Sequence, residues 1–134
     1  MAHWLFKTEP SNYSFQDLES DEETMWDGVT NTLALKYLRS IEEGDDVLIY
    51  HTGDEKAVVG VAEVTRGFYI HPEEDDPKLA VCDVRFVRHL EKPITLAQIK
   101  EVPELAGWAL VRNARLSVVP VSEEVWDKLK HRLE

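Results

Sequence analysis

Only one cysteine, Cys82, occurs among 134 residues. One thiol closes no intramolecular disulfide and builds no cysteine-rich zinc site, which points to a reducing compartment, and a cytoplasmic location is expected. The six glycines are isolated. There is therefore no Gly-rich phosphate loop, and no Gly-x-Ser-x-Gly elbow exists to seat a serine nucleophile. No apolar run reaches the length of a membrane span. Lys7 and Glu9 interrupt the first apolar stretch before it is long enough to act as a signal sequence. Internal repeats, low-complexity tracts and linkers are also missing, so one domain over 1–134 is expected, large enough for a single core. Positive charge is scarce: 15 Lys and Arg against 26 Asp and Glu leave a net charge of -11. That balance argues against non-specific coating of nucleic acid, which depends on phosphate neutralisation.

The deficit is uneven. Residues 1–67 hold 14 acidic and 5 basic side chains, whereas 68–134 hold 12 and 10, so a local basic rim around Lys7, Lys36, Arg39, Arg112 and Arg115 is compatible with the acidic total. The acids gather in Glu19–Glu23, Glu42–Asp46 and Glu73–Asp76, which read as solvated loops. The histidines, His3, His51, His71, His89 and His131, show no metal-ligand spacing, and neither a metal nor a cofactor is expected. Cys82 falls inside a strand pattern, where a structural role outweighs a reactive one.

Trp4-Leu5-Phe6-Lys7 reads as a strand buried on both faces and stopped by Pro10. Alternation places Lys7 and Glu9 on one face with Leu5, and Thr8 on the other with Trp4 and Phe6. Ser14 caps a short helix over Phe15–Leu18, with Asp17 completing a capping box. Asn31 or Thr30 caps a second helix that ends at Gly44. Val47–Thr52 and Ala57–Phe68 form a hairpin about Gly53-Asp54, 69–79 is a loop, and Ala80–Leu90 is a further strand. Thr95 caps Leu96–Lys100. Leu116–Val121 is a strand with its proline at an edge or bulge, and Ser122 caps a last helix carrying Val125, Trp126, Leu129 and Leu133. Strands that do not alternate regularly with helices predict an α+β fold with a curled, largely antiparallel sheet or small barrel flanked by short helices.

Trp26-Asp27-Gly28-Val29-Thr30-Asn31 gathers an indole, a carboxylate, a turn and an amide between helical segments. Such a loop either lays a ring against a planar heterocycle or plugs the core with its tryptophan. Other polar groups stand at strand ends: Lys7-Thr8-Glu9, Tyr50-His51-Thr52 and Arg112–Arg115. They are parts suited to reading the edge of a base. Equally, Lys7 and Glu9 form a surface ion pair, Thr52 closes a hairpin and the arginines confer solubility.

Five ordered blocks, Trp4-Leu5-Phe6-Lys7-Thr8-Glu9-Pro10, Trp26–Asn31, Tyr50-His51-Thr52, Val59-Gly60-Val61-Ala62-Glu63-Val64 and Arg115–Ser122, resemble the EVE domain family over nearly the whole chain. The resemblance implies a PUA-like fold, a small, mostly antiparallel β-barrel related to the YTH readers of methylated adenine. It implies a non-enzymatic reader of a modified nucleobase, in particular modified cytosine in DNA, with RNA as a second partner. A flipped or single-stranded base would then stack on Trp26 in a pocket formed by Val29, Asn31, Lys7, Thr8, Glu9, Tyr50, His51 and Thr52. Arg112, Arg115 and Lys36 would hold the backbone. Thr30 stands where the family pattern has arginine, which removes a cation near the pocket. Two alternatives remain: an ASCH-like hydrolase of modified nucleosides using Lys7, Thr8 and Glu9, and a protein-binding adaptor with a vestigial pocket.

Overall fold

The computed structural model describes residues 2–133. In chain order the elements are β1 (His3–Thr8), α1 (Phe15–Asp21), β2 (Glu23–Trp26), α2 (Thr32–Leu38), β3 (Asp46–His51), β4 (Ala57–Ile70), β5 (Ala80–Thr95), α3 (Leu96–Lys100), α4 (Ala109–Arg112), β6 (Val118–Val121) and α5 (Glu123–Leu129). Their strands make one six-stranded sheet in the order β2-β5-β4-β3-β1-β6. β1 and β3 are parallel, joined by the crossover through α1, β2 and α2, and the other pairings are antiparallel. The fold is α+β, as expected.

The expected barrel does not close. β2 and β6 are the two edges of the sheet and do not pair with each other. The sheet nevertheless curls strongly: β1 and β2 are separated by three strands in the sheet order, yet the rings of Phe6 and Trp26 lie 5.4 Å apart. Register breaks along β4 and β5, between Val58 and Gly60 and between Val64 and Arg66 among others, supply the bending. Trp4, Leu5 and Phe6 on β1 and Val47, Leu48 and Ile49 on β3 are buried on both faces, because the curled sheet covers one side and the helices the other.

The helix starts follow the local chemistry. Ser14 Oγ accepts from Asp17 N–H at 3.0 Å while the Asp17 carboxylate accepts from Ser14 N–H at 2.8 Å. Thr95 and Gln98 make the same reciprocal pair for α3. Of Asn31 and Thr30, the structure selects Asn31 as the cap of α2. The strand β2 is absent from the sequence expectation, and β5 runs to Thr95 through Pro93 rather than ending at Leu90. Proline is tolerated there because β2 pairs with β5 only over Arg85 to Cys82, leaving one side of β5 free at position 93.

Gly60 marks the tightest approach in the fold. A Cβ built on it would lie within the ring of Phe15, which is itself 1% exposed and wedged against Phe86 and His89. Gly60→Ala is expected to cost about 1–3 kcal/mol of stability through overpacking. Combining it with Phe15→Leu should recover part of that loss beyond simple additivity in denaturant melts, and strictly additive losses would contradict the contact.

Candidate nucleic-acid interface

The curl brings the C-terminal end of β1 against the free edge of β2, and between them lies an open cleft of about 210 Å³. That is smaller than the roughly 300 Å³ at which pockets for drug-sized ligands begin, and matches a single planar ring. Lys7 and Thr8 line one wall, Thr24, Met25 and Trp26 of β2 the opposite one, and Asp27-Gly28-Val29, Tyr13 and Ser117 complete the rim. Gly28 sits at φ +81°, a left-handed backbone for which glycine carries no penalty, and it turns the chain out of β2 along the cleft.

Trp26 is only 7% exposed. Its ring packs at 5.4 Å from Phe6 and meets Tyr13 edge-on at 6.2 Å. It is thus a core side chain whose remaining surface borders the cleft, and the two functions weighed for it from sequence are not exclusive. Lys7 is half-buried; its Nζ donates to Ala114 O at 3.1 Å and lies 5.8 Å from the centre of the Tyr50 ring. Burial lowers its pKa below the ordinary lysine value. With one N–H engaged, the ammonium retains two donors for the cleft. Thr8 Oγ donates to Tyr13 O at 2.6 Å, which ties the wall to the rim. Tyr13 donates its own hydroxyl to Asp21 at 2.7 Å, and burial together with that carboxylate pushes the phenol up to about 12.

Of the other residues expected at the pocket, Val29 borders the cleft and Asn31, Glu9, Thr52, His51 and Tyr50 do not line it. Asn31 spends its carbonyl oxygen on Ala34 N–H at 3.0 Å as the α2 cap. Glu9 turns from the cleft: its carboxylate accepts from Ser11 N–H and Oγ and from Thr52 Oγ at 3.2 Å, and these bonds hold its pKa below the ordinary carboxylate value. Thr52 is therefore bound to Glu9 rather than to the cleft. His51 accepts Phe15 N–H on Nε2 at 2.9 Å and contacts Glu55 through Nδ1 at 2.6 Å. That pattern assigns the proton to Nδ1 and makes His51 the anchor of α1. Tyr50 is 4% exposed beneath Lys7. Thr30 is exposed on the far side of the same loop, in a recess with His71, Glu74 and Leu79.

Arg112 and Arg115 are exposed on the segment that carries Ala114 and Ser117, and neither lines the cleft. Lys36 is exposed in the last turn of α2 and does not line the cleft. Asp27 on the rim is 54% exposed, with its carboxylate 3.5 Å from His71 Nε2. Sequence reasoning missed Met25, Thr24, Tyr13 and Ser117. Ser117 lies within the Arg115–Ser122 block and Tyr13 three residues after the Trp4–Pro10 block, but nothing in the sequence says that β2 exists and brings Thr24 and Met25 to face Lys7. Among the described residues no three His, Cys, Asp or Glu side chains converge as a metal site, and no helix is long and apolar enough to cross a membrane.

This architecture recurs in known proteins. Thymocyte nuclear protein 1 of Homo sapiens is 28% identical over 160 residues, spanning 94% of this chain and 71% of that protein. The crystal structure of the human THYN1 protein in complex with 5-methylcytosine containing DNA superimposes with a TM-score of 0.90 at 27% identity, covering 100% of this chain and 98% of the other. Rpa0253 from Rhodopseudomonas palustris, solved by NMR, is 34% identical with a TM-score of 0.92 over 99% of this chain and 93% of its own. An ASCH protein from Zymomonas mobilis, 14% identical with a TM-score of 0.63 and full coverage of both chains at 100%, shares the fold alone. The EVE domain family model matches residues 2–132, and the chain belongs to the EVE domain family.

Proposed function

We propose that this protein binds DNA carrying a modified cytosine, taking one unstacked base into the cleft between β1 and β2 without altering it. The observation that supports this most is the cleft itself: it is ring-sized, open, and bordered by an indole, a lysine and small hydroxyls, in a chain that superimposes along its whole length on a relative bound to 5-methylcytosine DNA. An adaptor with a vestigial pocket is less well supported, because the cleft is not filled by the protein's own side chains. The hydrolase reading needs Lys7, Thr8 and Glu9 around one substrate, whereas the Glu9 carboxylate is held at Ser11 and Thr52, outside the residues that line the cleft.

A buried methyl group is worth about 0.8 kcal/mol, roughly fourfold in affinity. An oligonucleotide with one 5-methylcytosine should therefore bind about fourfold more tightly than the same strand with cytosine, in fluorescence-anisotropy titrations at fixed salt. The matched RNA, run in parallel, reports the sugar preference. Equal affinity for methylated and unmethylated DNA would remove the reader assignment.

A further inference from the structure

The register of β2 defines what its free edge offers to the cleft. Glu23 pairs with Arg85, Thr24 with Val84, Met25 with Asp83 and Trp26 with Cys82. One position earlier, Phe86 N–H donates to Glu22 O at 2.9 Å, while Glu22 N–H caps α1 on Leu18 O; the single bond puts 22 and 86 in phase with the hydrogen-bonded positions. In an antiparallel ladder such pairs alternate with non-bonded ones. Thr24 and Trp26 therefore turn their main-chain groups toward β5, while the N–H and C=O of Met25 point away from it, off the edge of the sheet. β2 is an edge strand, and Thr24, Met25 and Trp26 all line the cleft in succession. Three consecutive residues share one cleft only if it faces the strand's edge, since alternate side chains go to opposite faces.

We infer that the main-chain N–H and C=O of Met25 read the hydrogen-bonding edge of the bound base and, with Lys7 Nζ, select a cytosine-type ring. This rests on the base-reader assignment and deepens it. The two groups of one residue on one edge form an adjacent donor and acceptor. Cytosine presents the complement, an N4 amino donor beside the N3 acceptor. Thymine also carries a donor next to an acceptor, so the strand edge alone does not separate the two. Lys7 does. Cytosine's N3 and O2 are neighbouring acceptors and concentrate negative potential, whereas thymine places its N3–H between O2 and O4. An ammonium with two free donors favours the first arrangement. A main-chain reader also needs none of Asn31, Glu9 and Thr52, which do not line the cleft.

Removing an N–H that faces away from the sheet is a change proline makes at an edge position without breaking the ladder. Met25→Pro should bind a 5-methylcytosine oligonucleotide at least about tenfold more weakly than Met25→Ala, which keeps the N–H, while both retain the wild-type circular dichroism spectrum. Equal affinity of the two folded variants would overturn the inference. A second measurement uses the unmodified protein, in case Met25→Pro does not fold. Replacing the target base with 5-methylpyrimidin-2-one, which lacks the 4-amino group, or with thymine should each cost about tenfold. Indifference to the 4-amino group would sink the main-chain reading while leaving the methyl preference, and hence the reader assignment, intact. A protein that binds none of these strands removes both.

Discussion

Replacing Lys7 with methionine is expected to weaken binding to a 5-methylcytosine oligonucleotide by about 10–100-fold, the range for losing a charge-assisted hydrogen bond in a partly buried site. The fold should tolerate the change. Methionine matches the lysine stem in length, and the variant relieves the desolvation that lowers the Lys7 pKa. Two further measurements separate a base-reading lysine from a generic cation. A lysine that meets the base leaves the slope of log K against log salt unchanged when removed, whereas Arg112→Ala and Arg115→Ala, if these exposed side chains hold the backbone, should each make it shallower by about 0.7–0.9. The pH dependence has a definite sign. As pH rises through the lowered pKa of Lys7, the ammonium becomes an amine and affinity falls, starting below the pH at which an ordinary lysine would titrate; the methionine variant should lack that limb. Affinity within threefold of wild type for Lys7→Met would exclude Lys7 from recognition.

The parts of this fold that were legible in the sequence are those dictated by local chemistry. Ser14 with Asp17, Thr95 and Ser122 cap helices because a side-chain oxygen three residues before an unsatisfied N–H is enough to place a helix start. β1 and β3 were legible because runs of large apolar residues leave few alternatives. β2 was not. Glu23-Thr24-Met25-Trp26 is a short edge segment with one fully buried side chain, and it is a strand because β5 supplies a partner from sixty residues away, which no local pattern encodes. Of the two forms expected, a curled sheet or a small barrel, the structure has the curled sheet with two edges, and the edge at β2 borders the cleft.

The site was partly legible for a related reason. Residue type shows what a side chain is able to bond, but not which of several partners it meets. His51, Thr52, Glu9 and Asn31 all carry groups capable of reading a base, and each has at least one of them bonded to a backbone group or a neighbouring side chain of the scaffold. Their sequence blocks hold α1, α2 and the strand ends in the positions that frame the cleft. Trp26 shows the same double service: its ring closes the core against Phe6 and Tyr13 while one side borders the opening. Motif blocks of this kind record a site and its supports together, and only the three-dimensional partners tell them apart.

The largest loss of stability is expected from Asp45→Ala, far from the cleft. Asp45 is 3% exposed on the turn leading into β3, just after Gly44 at φ +92°. Its carboxylate accepts from three donors: Ala2 N–H at 3.0 Å, the Trp4 indole N–H at 2.9 Å and Glu42 N–H at 3.0 Å. It thereby fastens the first residues of the chain, the first strand and the end of the α2 connection to one point. Alanine leaves the indole N–H buried without a partner and the two backbone donors partly so. At about 1–3 kcal/mol for each unsatisfied donor, discounted for the two that water reaches, the loss is about 3–5 kcal/mol. For a domain of this size that lowers Tm by about 10–20 °C and consumes much of the usual 5–15 kcal/mol of net stability. Asp45→Asn keeps one acceptor oxygen and should lose roughly half as much. The decisive comparison is the double variant with Trp4→Phe, which deletes the donor along with its acceptor. If the orphaned indole N–H causes the loss, Trp4→Phe should cost less in the Asp45→Ala background than in the wild type, by about 1 kcal/mol or more in denaturant melts. An Asp45→Ala loss below 1 kcal/mol would mean that the three donors find other partners, and the carboxylate would not be the clasp that the geometry describes.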